Sequence, residues 1–200
     1  MFADDARAAS REERPIHAGH RARSDSRHVA FVGLGSNLGN RAEHLQRAVE
    51  QLDADPHTTV RAISPVYESR ALTLGPSEAS PDFLNAVVRL QTSHDPLALL
   101  HLLQEVERAE GRTRTRRWEP RTLDLDLLLF DDYVEKTREL ALPHPGIASR
   151  GFVLRPLADL APELLLPAPL STSVYSLLKG CPHVATLRRT DVQLHVPGLR

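Results

Sequence analysis

Apolar patterning begins at residue 28. The run Val29-Ala30-Phe31-Val32-Gly33-Leu34-Gly35 is short, apolar and closed by glycines, so it reads as a buried strand. Asn40 followed by Glu43 resembles a capping box with Asn in place of Ser or Thr. Behind it Ala42, Leu45, Ala48, Val49 and Leu52 share one helical face. Residues 60–68 and 84–91 read as strands separated by a loop containing Gly, Pro and Ser. Asp95-Pro96 is a cap with proline at the first helical position; Leu99, Leu100, Leu103, Val106 and Ala109 then form a buried stripe, and Gly111 ends that helix. A strand over 122–130 follows. Strand, helix, strand, strand, helix, strand predicts an α+β fold with a ferredoxin-like βαββαβ core, an antiparallel sheet and C-terminal additions. The segment 139–166 adds a short strand and a helix around 152–160. Beyond Pro167 the pattern supports one weak helix, 174–179, and a tail without assigned order.

Residues 1–27 carry no apolar periodicity and read as a disordered polar tail. They lack the apolar core of a secretory signal, and their acids count against a mitochondrial presequence. The expected organisation is therefore a tail at 1–27, a domain at 28–166 and an extension at 167–200.

Composition narrows the class. The chain has 200 residues, is 41% hydrophobic, and balances 25 Lys+Arg against 26 Asp+Glu. That suits a globular domain with a real core and argues against a surface-wide nucleic-acid or membrane binder. No apolar run approaches the ~20 residues that span a bilayer. Cys181 is the single cysteine, so no internal disulfide can form and a reducing compartment is the default. The expectation is a cytoplasmic monomer. The basic residues other than Lys136 and Lys179 are arginines, which grip phosphate or carboxylate with two donors at once.

Chemistry concentrates in Arg121-Thr122-Leu123-Asp124-Leu125-Asp126-Leu127. On a strand, positions i and i+2 face one side about 7 Å apart, so Asp124 and Asp126 point together. Two such carboxylates repel each other, and a hard divalent cation removes that penalty; magnesium suits a few carboxylates plus phosphate oxygens and water. A half-exposed strand whose outer face carries two aspartates is the plainer alternative. Arg112, Arg114, Arg116, Arg117 and Arg121 surround Trp118 just upstream. Metal-binding acids next to arginines are what polyphosphate chemistry requires, while an RNA-binding basic loop with a stacking aromatic is the rival. Gly33-Leu34-Gly35-Ser36-Asn37-Leu38-Gly39 misses the dinucleotide spacing by one position, which leaves a strand-to-helix turn needing small residues as the better reading. His144, between Pro143 and Pro145, has its backbone constrained on both sides. Cys181 reads as a small buried residue.

Taken in order, Gly35-Ser36-Asn37-Leu38-Gly39, Pro81-Asp82-Phe83-Leu84-Asn85-Ala86, Arg121-Thr122-Leu123-Asp124-Leu125-Asp126 and Pro143-His144-Pro145 strongly resemble the 6-hydroxymethyl-7,8-dihydropterin pyrophosphokinase family, from about residue 28 to 166. The resemblance implies a ferredoxin-like fold, two magnesium ions, ATP as co-substrate, and transfer of its β,γ-pyrophosphoryl group to the pterin hydroxymethyl oxygen with release of AMP. It implies that Asp124 and Asp126 hold the metal, acting in catalysis with Arg112 and Arg121. Gln104, Glu107, Arg112, Arg114, Arg121, Leu127, His144 and Arg150 match nucleotide-site positions. Phe83 and Phe152 resemble the aromatic pair that sandwiches the pterin. Asn85, Ser69 and Trp118 are implied on the substrate side, and 112–118 resembles part of a mobile loop closing over both substrates.

The residues suit that chemistry. A flat heteroaromatic ring is held by two ring faces and read by one amide, and a loose phosphoryl transition state needs alignment and charge relief more than a strong base. Departures are Glu119 where a small residue is usual, Arg70 near a frequent proline or acid, and a longer 69–81 loop. A binding module that has lost turnover and an RNA-binding domain of the same fold stand as alternatives.

Overall fold

The computed structural model describes residues 27–70, 81–111 and 121–199. In chain order these form β1 (His28–Ser36), α1 (Arg41–Ala54), β2 (Thr58–Ile63), β3 (Tyr67–Ser69), β4 (Phe83–Thr92), α2 (Pro96–Ala109) and β5 (Asp124–Phe130). A small hairpin of β6 (Glu135–Lys136) and β7 (Ala141–Leu142) leads to α3 (Gly151–Leu160). Then come α4 (Val174–Gly180), a 3-10 turn over Pro182–Thr186 and β8 (Arg188–Arg189). The result is a mixed α/β fold with an antiparallel sheet and four α-helices among the described residues.

Both predicted caps form. The Asn40 carboxamide accepts from the Glu43 amide at 3.4 Å, and the Asp95 carboxylate accepts from Ala98 N–H at 2.8 Å. After α2, Gly111 takes φ +79°, the left-handed conformation in which a glycine carries no Cβ penalty. The predicted strand over 60–68 is broken in two, because Pro65 has no N–H for the ladder. Ser64 bridges the gap: its N–H donates to Val87 O at 2.9 Å, and its hydroxyl accepts from Val87 N–H at 2.9 Å. Thus β2 and β3 both pair with β4, and the main sheet runs β5-β1-β4-β3-β8.

Alternation along the strands separates two cores. Ala30, Val32 and Leu34 of β1, with Leu84, Ala86, Val88 and Leu90 of β4, face α1 and α2. Phe31, Val87, Leu128 and Leu129 face α3, whose Val153, Leu154 and Leu157 are buried against them. Each fully buried leucine contributes about 1.5–3 kcal/mol. In β5 the pairing with β1 skips Leu128: Phe31 lies opposite Leu129 and Val32 opposite Leu127. This bulge lets Phe130 join the α1/α2 core while Asp124 and Asp126 keep the α3 face.

The chain after Pro167, for which the sequence predicted one helix and a tail, is built into the body. Strand β8 extends the sheet edge at β3, and Leu194 and Val196 are buried in the α1/α2 core. The single cysteine, Cys181, is buried beside α3 as expected. No helix among the described residues is long and apolar enough to cross a membrane.

Candidate active site

Helix α3 covers only part of its sheet face. Towards the C-terminal end of β1 that face carries Gly33 and Gly35, with Asp126 and Asp124 opposite them on β5 and Asn85 opposite Gly35 on β4. A Cβ at Gly35 would meet Asn85 Oδ1 at 3.7 Å, Phe83 Cδ1 at 3.7 Å and Asp124 Cβ at 3.8 Å. Gly35 is therefore a bare floor between an amide, an aromatic ring and a carboxylate. The glycine run predicted as a turn divides accordingly: Gly33 and Gly35 lie within β1, and Gly39 alone of the three takes a positive φ, +68°, before α1.

Each carboxylate meets an arginine. Arg121 donates to Asp124 Oδ2 at 2.8 Å, and Arg150 donates to Asp126 Oδ2 at 3.2 Å while lying 5.8 Å from the Phe152 ring centroid. Desolvation and then the charge of Asp124 push the Asp126 carboxyl above its ordinary value, against the opposing pull of His144, Arg150 and Arg121. His144 Nδ1 accepts from Gly146 N–H at 3.0 Å, which places the neutral ring's proton on Nε2. That nitrogen lies 3.8 Å from Asp126 Oδ2. Burial lowers the His144 pKa, which favours this neutral form. Behind β5, buried Glu107 of α2 accepts from Leu125 N–H at 2.8 Å.

This donor set suits a hard cation. Asp124 and Asp126 offer carboxylate oxygens from one strand face, and their mutual repulsion is what a divalent ion relieves. Among the described residues no group of three acidic, histidine or cysteine side chains is placed to hold a metal. Two carboxylates suit magnesium, which keeps waters and phosphate oxygens as further ligands.

On the other side of Gly35, Asn85 is fixed from within the sheet. Its Nδ2 donates to Ser69 Oγ at 2.9 Å and to Tyr67 O at 3.4 Å, which turns Oδ1 toward the Gly35 floor. That leaves a carbonyl acceptor for a donor edge of a ligand. Phe83 lies against the floor and is half-buried. Phe152, at the start of α3, is half-buried beneath Arg150.

Of the residues singled out from sequence, Ser69, Phe83, Asn85, Arg121, Asp124, Asp126, His144, Arg150 and Phe152 are thus gathered at one end of one sheet face. Gln104 is half-buried on α2. Leu127 packs its side chain in the α1/α2 core, on the face opposite Asp126, so its backbone is what it can offer a nucleotide. Arg112, Arg114 and Trp118, with Arg116, Arg117 and Glu119, lie outside the described residues.

Sequence reasoning missed Asn37. This buried side chain accepts from Arg121 N–H at 2.6 Å and donates to Pro81 O at 3.3 Å, while its own N–H donates to Arg121 O at 3.1 Å. It fastens the approach to Asp124 and the approach to Phe83 to one turn. Its place within the Gly35–Gly39 motif was the available signal. Glu110 was also missed. It is held at the end of α2 by Arg47, His44 and Gln51 from α1.

The chain is similar to known proteins along most of its length. A family model described as 7,8-dihydro-6-hydroxymethylpterin-pyrophosphokinase (HPPK) matches residues 31–162. The 2-amino-4-hydroxy-6-hydroxymethyldihydropteridine pyrophosphokinase of Pseudomonas aeruginosa is 45% identical over 152 residues, covering 76% of this chain and 91% of its own. The enzyme of the same name from Bacillus subtilis is 41% identical over 136 residues, covering 68% and 80%. Among solved structures, a Plasmodium falciparum HPPK-DHPS variant crystallised with pterin and p-hydroxybenzoate shares the fold with a TM-score of 0.64 at 14% identity. That match covers 84% of this chain and 48% of the longer one. With the model spanning well over half its length and curated relatives matched along most of theirs, the chain belongs to the HPPK family.

Proposed function

We propose that the chain transfers the β,γ-pyrophosphoryl group of ATP to the hydroxymethyl oxygen of 6-hydroxymethyl-7,8-dihydropterin, releasing AMP, as a step of folate biosynthesis. The observation that carries this reading is the bare Gly35 floor with Asn85 and Phe83 on one side and Asp124 on the other. In this reading the pterin, seated over the amide, directs its hydroxymethyl group at the carboxylates.

In this reading Phe83 and Phe152 bracket the pterin ring, and Asn85 Oδ1 accepts from its amino and ring N–H edge. Asp124 and Asp126 would hold two magnesium ions, which would supply charge neutralisation to the transferred phosphates. Arg121 and Arg150 lie within reach of the phosphates because they already contact those carboxylates. His144 presents Nε2–H to the same place. Gln104, Glu107 and the Leu127 backbone line the nucleoside end. The pterin oxygen attacks the β-phosphorus, the bond to the α,β-bridging oxygen breaks, AMP leaves with that oxygen, and the hydroxymethyl proton is released. The protein supplies position and charge relief, with no strong base required.

The same proposal extends to the whole chain. It reads the core as ferredoxin-like, supported by the order β5-β1-β4 with β2 and β3 together on β4. It takes 28–166 as the catalytic unit with 167–200 as an extension, acting as a cytoplasmic monomer without a nucleic-acid partner. Arg112, Arg114 and Trp118 complete the site in this reading. Phosphorus NMR of Mg·ATP with 6-hydroxymethyl-7,8-dihydropterin tests it, with Asp124→Ala as control. AMP and a pterin diphosphate are expected with wild type, and transfer is abolished in the variant while its circular dichroism is retained. ADP as product, or a fully active Asp124→Ala enzyme, refutes the reading. Pterin binding without turnover points to a module that has lost catalysis.

A further inference from the structure

The family model stops at residue 162, yet the chain continues into a segment tied to the pterin side of the site. Strand β3 is three residues long, and its Ser69 receives the Asn85 amide that turns Oδ1 toward the floor. One side of β3 is paired to β4, and the other is taken by β8: Tyr67 lies opposite Arg189 and Glu68 opposite Arg188. Thr190 then closes on Val66 O twice, from its N–H at 2.9 Å and its hydroxyl at 3.0 Å.

Glu68 is the junction. It faces away from Ser69, toward α1, where one carboxylate oxygen takes Arg41 at 3.0 Å and the other takes Arg188. Arg41 also donates to Asp82 O at 2.6 Å. One carboxylate therefore joins the residue before Ser69, the residue before Phe83, and β8. The far end of the segment is anchored to α1: Gln46 Nε2 donates to His195 O at 2.8 Å and His195 N–H donates back to Gln46 Oε1 at 3.0 Å. Leu194 and Val196 on either side are buried. Between two fixed points, Arg188 is the charged contact from this segment onto the strand that carries Ser69.

We infer that Arg188 is a positioning residue for the pterin half of the site, acting through Glu68 to hold β3 in the register that aims Asn85. The inference rests on the proposed reading of Ser69 and Asn85. Its mechanism is a brace: Arg188 does not touch substrate. With 71% of its side chain exposed, its truncation opens no cavity and removes little beyond the ion pair.

The test compares wild type, Arg188→Ala and Arg188→Lys by fluorescence titration of 6-hydroxymethylpterin and by steady-state kinetics, with melting temperatures alongside. The expected result is a roughly 3–10-fold rise in pterin Kd and KM for Arg188→Ala, the scale of one hydrogen bond. The KM for ATP should stay within about twofold of wild type on the same scale, and Arg188→Lys should recover part of the loss. A lowered melting temperature with unchanged pterin affinity overturns the inference, as does equal weakening of pterin and ATP or no effect at all. Wild type that binds pterin without turnover contradicts the catalytic reading and leaves the titration to decide this one. Wild type that binds no pterin overturns both.

Discussion

Arg150 reaches Asp126 because residue 146 has no side chain. A Cβ built on Gly146 would lie 2.5 Å from Arg150 Nε and 2.7 Å from its Cζ, so the guanidinium folds back through space that alanine would occupy. The arginine is long and can swing away, which makes the cost one of position and not of stability. Gly146→Ala should therefore lower kcat by about 10–100-fold, the penalty for misplacing a charge near a reacting group. Its melting temperature should stay within about 3 °C of wild type. Steady-state kinetics at saturating ATP with a circular-dichroism melt checks this, and undiminished turnover would remove Arg150 from the proposed site. At this scale the sequence was readable where the signal was local. The Asp124/Asp126 spacing put both carboxylates on one face, and the caps at Asn40 and Asp95 formed as their spacing predicted. Asn37 was legible only as a member of the Gly35–Gly39 motif, because its partners Arg121 and Pro81 lie far along the chain, and Gly146 was not readable, because it acts on a side-chain path that no spacing rule encodes.

Helices α1 and α2 meet through a carboxylate at the end of α2. Glu110 is nearly buried, and Arg47 grips it from Nε at 3.0 and 3.2 Å while His44 and Gln51 contribute at 2.8 and 3.0 Å. Desolvation alone would raise its pKa, but the hydrogen bonds from Arg47 and His44 outweigh it and leave the carboxyl below its usual range. A depressed carboxyl contributes stability that is full above the unfolded-state value, about 4.3, and is lost as pH falls through the folded value. Glu110→Gln should thus cost about 1.5–3 kcal/mol at neutral pH, the scale of hydrogen bonds to a charged group. That difference from wild type should shrink steadily below about pH 4. Urea unfolding over a pH series measures it, and a difference independent of pH would refute the charge argument. Elements themselves were partly readable. The second strand was predicted as one piece because its apolar residues run on, while Pro65 breaks the ladder and Ser64 repairs it. The Leu128 bulge escaped notice because a run of three leucines carries no period from which to detect the skipped residue.

Over the whole molecule, one sheet serves two purposes on one face. Its lower part binds α3 through Phe31, Val87 and Leu128, and its upper part carries Gly35, Asn85 and the two aspartates of the proposed site. The order of elements foretold an antiparallel sheet with helices, since each alternates with a distinct period. It did not foretell that the last dozen residues would return to the sheet edge and to α1, because β8 is two residues long and its pairing is set by distant partners. The bare floor of β1 has a consequence for any attempt to improve this protein. Glycine inside a strand costs about 0.5–1 kcal/mol relative to alanine, and the space over Gly35 accepts a methyl group at ordinary contact distances. Selection for heat resistance alone should therefore favour Gly35→Ala, with a gain of about 1–4 °C in melting temperature. The same methyl group would stand where the alcohol must approach the phosphate, so the hardier variant should be the poorer catalyst. A melt and a turnover assay on that single variant would reveal the opposition. In the proposed reading the missing side chain at Gly35 is what leaves room for the chemistry, and a stabilising screen without an activity filter would eliminate it.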